Sequence, residues 1–97
     1  KKRVAVLISG SGSNLQALID AAAAADFPAE IAMVVSNVAD AYGLQRAATA
    51  GIGTRLLRHG DFPDRASYDA ALQHILRAAE IDFVCLAGFM RLLTADF

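Results

Sequence analysis

Four short runs of apolar residues alternate along the chain with segments in which apolar residues recur at helical spacing. The runs lie at residues 4–8, 31–35, 54–57 and 83–87, and each predicts a β-strand. The first, second and fourth are apolar at consecutive positions, which is typical of strands that are covered on both faces. The pattern therefore favours a sheet with helices packed on both sides.

The segments between the first three runs predict two helices. In the first helix, the apolar positions at i, i+3, i+4 and i+7 are Leu15, Leu18, Ile19 and Ala22. We expect the alanine run at 21–25 to prolong this helix, because alanine has the best intrinsic helix propensity. The second helix is expected to have Asp40 as its N-cap and to stop at Gly51. Its inner face would carry Leu44, Ala47 and Ala48.

The third helix is predicted to begin near Pro63 and Asp64. Its inner positions at helical spacing are Tyr68, Leu72, Ile75, Leu76 and Ala79. Regular alternation of strands and helices indicates a parallel sheet with right-handed crossovers. We therefore expect an α/β fold, half of a doubly wound (Rossmann-like) parallel sheet, with four strands in the order 3-2-1-4 and three helices. In that order, the loops after the first and fourth strands flank the switch point where such sheets bind ligands.

The composition is that of one small globular domain. The chain has 97 residues, of which 56% are hydrophobic. Nine basic and ten acidic residues give a net charge of -1, unlike the basic surface of a nucleic-acid-binding protein. The apolar runs are too short for an export signal or a membrane span. The single cysteine, Cys85, excludes an internal disulfide and fits a cytoplasmic protein.

The segment ISGSGSNLQ at residues 8–16 follows the first strand and opens the first helix. Helix N-termini attract anions, so the amides of Gly12, Ser13 and Asn14 and the hydroxyl of Ser13 are the expected donors to a phosphate. Leu15 stands where a dinucleotide loop has its third glycine, and the Gly-Lys-Ser/Thr of a P-loop is missing. A site for one phosphate monoester remains, with a purely structural turn as the alternative.

The segment AGFMRLL at residues 87–93 continues the apolar character of the fourth strand into the following loop and carries one arginine. Apolar side chains beside exposed backbone donors and acceptors suit a flat heteroaromatic ring. The alternative is a loop that packs under another part of the protein.

Three segments give the chain a family resemblance. They are VLISGSGSNLQALIDA at 6–21, VVSNVADAYGLQRAATAGI at 34–52 and VCLAGFMRLL at 84–93. Together they resemble the N-terminal half of the phosphoribosylglycinamide formyltransferase family, whose members are folate-dependent enzymes of purine synthesis. The resemblance implies transfer of a formyl group from 10-formyltetrahydrofolate to the amine of glycinamide ribonucleotide, with these two small molecules as partners.

The resemblance also implies which residues bind each ligand. Those for glycinamide ribonucleotide are Gly12, Ser13 and Asn14. Those for the folate are Arg65, Met90, Arg91, Leu92 and Leu93, with Leu86 and Phe97 as further candidates. Arg65 stands in the first turn of a helix, where its charge opposes the helix dipole. This position favours a ligand role, with a solvated arginine as the alternative.

No catalytic residue is assigned, because the family's Asn-x-His-Pro motif does not occur in residues 1–97. We interpret the chain as a single substrate-binding half of the domain, without the catalytic half. His59 and His74 have no carboxylate at motif spacing and are expected to be solvated. Cys85 is expected to be a small buried hydrophobic residue. No cluster has metal-ligand spacing, so no metal site is predicted.

Two other functions stay open. A formyltetrahydrofolate hydrolase would use water in place of the amine, although it has no phosphorylated acceptor for the loop at residues 10–14 to hold. A non-catalytic nucleotide-binding module is the second alternative. The family resemblance also implies that further strands pair beside the fourth strand, so in this chain we expect that strand to be an open edge that pairs with the missing half or associates with another copy.

Overall fold

The computed structural model of the protein describes residues 2–10 and 12–87. The strands and helices are β1 (Lys2–Ile8), α1 (Ser13–Ala22), β2 (Ala29–Ser36), α2 (Tyr42–Thr49), β3 (Gly53–Leu56), α3 (Arg65–Ala78) and β4 (Phe83–Leu86). A short 3-10 turn at His59–Asp61 precedes α3. The strands pair in parallel in the order β3-β2-β1-β4. The α/β fold, the strand order and the three helices predicted from the sequence are confirmed.

β1 is a central strand and divides the core into two layers. Successive side chains of a strand point to opposite faces, so Ala5 and Leu7 face one way and Val6 and Ile8 face the other. The cluster around Ala5 and Leu7 also contains Val35, Tyr68, Leu72 and Leu76. The cluster around Val6 and Ile8 also contains Leu15, Val34, Ala47 and Ala87. Consequently α3 covers one face of the sheet, and α1 and α2 cover the other.

The first helix is shorter than its alanine run predicts. The prediction of helix through residue 25 is wrong, because α1 ends at Ala22. The chain then turns, with the Ala24 N–H donating to the Ala21 oxygen and the Phe27 N–H to the Ala24 oxygen. Pro28 disfavours helical backbone at the residue before it, and β2 begins directly afterwards. Helix propensity is a weak preference that this reversal of the chain overrides.

The start of α2 also differs from the prediction. Its N-cap is Ala41 and not Asp40, and no side chain caps the helix. Instead the Gly43 N–H donates to the Gly10 carbonyl oxygen at 3.2 Å, so the backbone of the loop after β1 satisfies a first-turn amide of α2. The prediction that Ala48 faces inward is wrong, because Ala48 is exposed while its neighbour Ala47 is buried.

Helices α2 and α3 end in the same Schellman geometry. After each helix, two backbone N–H groups donate to carbonyls of the last turn at 2.9 to 3.1 Å. The residue in the left-handed conformation is Gly51 after α2, with φ 76°, which confirms the predicted stop of that helix. After α3 the same place is held by Glu80, with φ 56°, where the Cβ atom makes the conformation unfavourable.

Replacing Glu80 by glycine should raise the free energy of unfolding by about 1 kcal/mol, because glycine adopts this backbone without the Cβ penalty. Chemical denaturation measures the change. Glu80→Ala removes the carboxylate and keeps the strain, so that control should stay within about 0.5 kcal/mol of the wild type. A glycine variant that is less stable than the wild type would contradict the assignment of strain to this residue.

β4 lies at one edge of the sheet, as the sequence predicts. The prediction that it is covered on both faces is wrong within the described part of the chain. Phe83 and Leu86 expose 59% and 56% of their surfaces, and Cys85 is half-buried. The buried residues of the helices cluster with those of β1 and β2, and the described part of the chain leaves the apolar side chains of β4 largely exposed.

Candidate functional site

The loop after β1 leads into α1 through a buried glycine in the left-handed conformation. Gly12 has φ 77° and ψ 26° and is the N-cap of α1. Its carbonyl oxygen accepts the Gln16 N–H at 2.8 Å, the first hydrogen bond of the helix. The amides of Ser13, Asn14 and Leu15 precede this bond and have no acceptor within the helix. They form the positive end of the helix dipole, where an anion is favoured.

A second glycine holds this loop in place. A Cβ atom on Gly12 would lie 2.7 Å from the Gly43 Cα, closer than side chains allow. Gly43 in turn is enclosed by Ile8 and by the loop, whose Gly10 oxygen accepts its N–H. The sequence interpretation identified Gly12 but not Gly43. The sequence does offer one signal for Gly43, which is its position in the first turn of a short helix. Glycine disfavours a helix, so a glycine at such a position indicates close packing against another segment.

Two buried polar side chains join the ends of β1 and β2. The Ser9 hydroxyl donates to the Asn37 Oδ1 at 2.6 Å, and the Asn37 N–H donates to the Ile8 oxygen at 3.3 Å. Both side chains are buried, so the hydrogen bond replaces contacts that each would make with water. In a dinucleotide site, the position of Asn37 would hold the acidic residue that binds a ribose. In this protein Asn37 instead holds the end of β1, where the loop begins.

An arginine of α2 lies beside the same loop. The Arg46 Nη1 donates to the Gln16 Oε1 at 3.3 Å, and the Gln16 Nε2 donates to the Asp20 Oδ1 at 2.9 Å. The Arg46 guanidinium carbon lies 4.9 Å from the centroid of the Tyr42 ring, within cation–π distance. The sequence interpretation missed Arg46, because a single arginine on a short helix resembles an ordinary surface residue.

Arg65 is the first residue of α3 and is exposed. Its neighbour Asp64 caps the helix by accepting the Ser67 N–H at 2.7 Å. The helices follow their strands in parallel crossovers, so α1 and α3 both begin at the carboxyl edge of the sheet. They lie on opposite faces, which places Arg65 and the loop at Gly12 on the two sides of that edge.

The hydrogen bond from the Ser67 amide lowers the pKa of Asp64 below its ordinary value of 3.8. A lowered pKa in the folded state stabilises the protein above the unfolded pKa, and this contribution is lost as the pH falls through the folded pKa. We therefore expect the wild type to exceed Asp64→Asn in stability at pH 6, with the difference shrinking below about pH 4. Thermal unfolding across this range tests the expectation. A difference that stays constant down to pH 2 would contradict it.

The second predicted loop lies largely outside the described residues. Met90, Arg91, Leu92, Leu93 and Phe97 all fall there, so these assignments stay predictions. Leu86 ends β4, paired with Leu7 of β1, and the Ala87 N–H donates to the Leu7 oxygen at 3.0 Å. The chain thus leaves β4 at the same edge as the Gly12 loop and on the adjacent strand.

The remaining candidate groups lie away from the loop after β1. His74 is exposed on α3, as predicted, and Cys85 is more exposed than predicted. The described residues hold no group of three His, Cys, Asp or Glu side chains that could bind a metal ion. None of the helices within residues 12–87 is long and apolar enough to cross a membrane.

The fold and this edge define the class of protein first: an α/β protein of the doubly wound type, with a helix N-terminus presented at the switch point between β1 and β4. The family follows from comparison with known sequences. The profile of the formyl transferase family matches residues 2–97, and the chain belongs to this family.

Curated relatives and solved structures agree with this assignment. The chain is 56% identical over 99 residues to the trifunctional purine biosynthetic protein adenosine-3 of Drosophila pseudoobscura pseudoobscura, covering 100% of the chain and 7% of that protein. It is 48% identical over 94 residues to the phosphoribosylglycinamide formyltransferase of Escherichia coli (strain K12), covering 97% of the chain and 44% of that protein. The crystal structure of phosphoribosylglycinamide formyltransferase from Brucella melitensis superimposes with a TM-score of 0.94 at 46% identity, covering 97% of the chain and 49% of that structure. The chain thus spans about half the length of its single-function relatives.

Proposed function

We propose that this chain supplies the substrate-binding half of a glycinamide ribonucleotide formyltransferase, which transfers a formyl group from 10-formyltetrahydrofolate to the amine of glycinamide ribonucleotide in purine biosynthesis. The observation that carries the proposal is the start of α1, where Gly12 in its left-handed conformation lies against Gly43 and presents first-turn amides at the switch point. The reaction is that of the phosphoribosylglycinamide formyltransferases to which the chain is similar. The single cysteine favours the cytoplasm as the site of action.

The two ligands are bound by different residues, on the two sides of the carboxyl edge of the sheet. The amides of Gly12, Ser13 and Asn14 bind the phosphate of the ribonucleotide, because they converge at a helix N-terminus. On the other side of the edge, the folate is bound by Arg65 of α3 and by residues 90–93, whose backbone and apolar side chains suit a pteridine ring. No residue of this chain is proposed to transfer protons in the reaction, so the catalytic groups come from a further half of the domain.

Calorimetric titration of the protein, expressed from its complete gene, tests the function. Glycinamide ribonucleotide should bind, and NAD should not. Addition of 10-formyltetrahydrofolate should then yield formylated ribonucleotide, with little hydrolysis when the ribonucleotide is left out. Hydrolysis that proceeds equally fast without the ribonucleotide would favour the hydrolase, and binding of NAD in its place would favour a nucleotide-binding module.

The exposed edge at β4 is the place where we propose that the further half joins. An apolar cleft of about 230 Å³ lies beside it, lined by residues that include Leu18, Phe27 and Phe83. Among the described residues no strand pairs with the outer side of β4, and the backbone groups of such an edge pair readily with another strand. When the further half is missing, we expect a second copy of the chain to bind to the same cleft and the same edge of β4.

A polypeptide of residues 1–97 should therefore self-associate at micromolar concentrations. Phe83→Lys places a charge on the exposed face of β4 and should shift the population toward monomer in sedimentation equilibrium. Leu56→Lys is a matched control, since Leu56 is an exposed apolar residue on β3 at the opposite edge. A monomer at all concentrations, or equal effects of the two substitutions, would contradict association through β4.

A further inference from the structure

Arg46 is positioned so that its charge lies near the start of α1. Its side chain folds back over Tyr42, at the beginning of α2, and so lies away from the C-terminal carbonyls of its own helix. Its Cδ atom is 3.3 Å from the point where a Cβ on Gly12 would stand. The aliphatic part of Arg46 thus packs on the N-cap of α1.

The electrostatics of this arrangement favour an anion. A helix N-terminus carries a partial positive charge, and a cation beside it is normally unfavourable for the helix. Here the guanidinium is held near the beginnings of both α1 and α2, so positive potential from three sources accumulates on one side of the loop. A bound phosphate would interact favourably with both the guanidinium and the first-turn amides of α1.

The contacts of Arg46 also fix the geometry of the loop. Gln16 is held on one side by the Asp20 carboxylate, and its Oε1 is thereby directed to the Arg46 Nη1. This chain of side chains ties α2 to the first turn of α1. Arginine suits the role better than lysine, because its planar guanidinium can lie over the Tyr42 ring while its N–H groups donate hydrogen bonds in the guanidinium plane.

We propose that Arg46 is a positioning residue for the phosphate of the acceptor substrate, acting through Gln16 and the Gly12 backbone and adding its charge to the field at the start of α1. The proposal rests on the proposed binding of glycinamide ribonucleotide at this loop. Arg46 does not touch the reacting atoms, so it contributes to KM for the ribonucleotide and not to kcat.

The test compares glycinamide ribonucleotide with glycinamide riboside, which lacks the phosphate, on the protein expressed from its complete gene. Arg46→Ala should weaken binding of the ribonucleotide roughly tenfold and leave binding of the riboside unchanged. Arg46→Met keeps the aliphatic packing against Gly12 and loses the charge, so it should give a similar loss even if the alanine variant folds poorly. In steady-state assays KM for the ribonucleotide should rise with kcat and KM for the folate unchanged.

Two further variants separate the positioning role from charge alone. Arg46→Lys and Gln16→Ala each keep a positive charge but break the link to α1, and each should weaken ribonucleotide binding roughly threefold. Arg77→Ala removes an exposed positive charge from α3 and should have no effect.

The outcomes distinguish this proposal from the proposed function. If the wild type binds ribonucleotide and riboside equally well, the phosphate assignment of the loop itself fails. If the wild type prefers the ribonucleotide but Arg46→Met retains that preference in full, the role of Arg46 is overturned. Equal losses for both ligands in Arg46→Met would also overturn it, because they would indicate a structural role only.

Discussion

Gly12→Ala should both destabilise the protein and abolish tight binding of glycinamide ribonucleotide. The substitution adds a Cβ to a residue with φ 77° and places that atom 2.7 Å from the Gly43 Cα. Backbone strain and overlap together should cost roughly 2 to 5 kcal/mol of folding free energy. Relief requires α1 and α2 to move apart, which displaces the first-turn amides, so affinity should fall at least roughly tenfold in the folded fraction.

Substitutions of two other glycines distinguish backbone strain from atomic overlap as the cause of the destabilisation. Gly51 has nearly the same φ, 76°, but a Cβ there meets nothing within 4 Å. Gly51→Ala should therefore show only the backbone strain, roughly 1 to 2 kcal/mol, with unchanged affinity. Gly60→Ala has neither strain nor contact and should behave as the wild type. Denaturant titration and calorimetry on the three variants provide the test, and a Gly12 variant that matches Gly51→Ala in both measurements would refute the interpretation.

Residues 1–97 alone are not expected to catalyse formyl transfer. A polypeptide of residues 1–97 should bind glycinamide ribonucleotide without formylating it, at a rate roughly 10⁴-fold or more below that of the complete protein. Attack of the amine on the formyl carbon gives a tetrahedral intermediate with a negatively charged oxygen and a protonated amine. Its oxygen needs a hydrogen-bond donor, and a group has to move the amine proton to the folate nitrogen as the bond from that nitrogen to the formyl carbon breaks. The Asn-x-His-Pro motif that the resemblance implies for the catalytic half does not occur in residues 1–97, and His74 lies across the sheet from the loop at Gly12.

A formyl-transfer assay with and without the rest of the gene product, added as a separate chain, checks this expectation. Addition should restore activity, because the added half would pair along β4 and bring the missing groups to the switch point. Turnover by residues 1–97 at the rate of the complete protein, unchanged by the addition, would show that the catalytic groups lie within this chain.

The fold could be predicted from the sequence because strand and helix periodicities differ clearly and parallel crossovers allow few topologies. Two of the errors occur where the path and packing of the chain, and not helix propensity, decide a local structure. The Gly10 carbonyl satisfies α2 where Asp40 was expected to do so, and the reversal into β2 ends α1 before its alanines do. The helix propensity of the residues involved predicts neither the contact with Gly10 nor the early end of α1.

The site was predictable only as far as it is local. The amides after Gly12 follow from one segment, since a glycine-rich turn between strand and helix presents them in any fold of this type. Gly43 and Arg46 adjoin this loop through contacts between α1 and α2, and nothing in the sequence of a short helix indicates those contacts. Only the packed structure shows that they adjoin the loop.

The alternation of β1 between two layers has a consequence for how mutations combine. Val6 and Leu7 are neighbours in the chain but pack in different clusters, so shortening both should cost the sum of the single effects. Leu7 and Tyr68 are far apart in the chain but share one cluster, so their double mutant should depart from additivity by about 0.5 kcal/mol or more. We therefore expect energetic independence to follow the faces of the sheet and not distance along the sequence, so that substitutions that tune stability can accumulate under α3 while the layer that holds the loop at Gly12 stays unchanged.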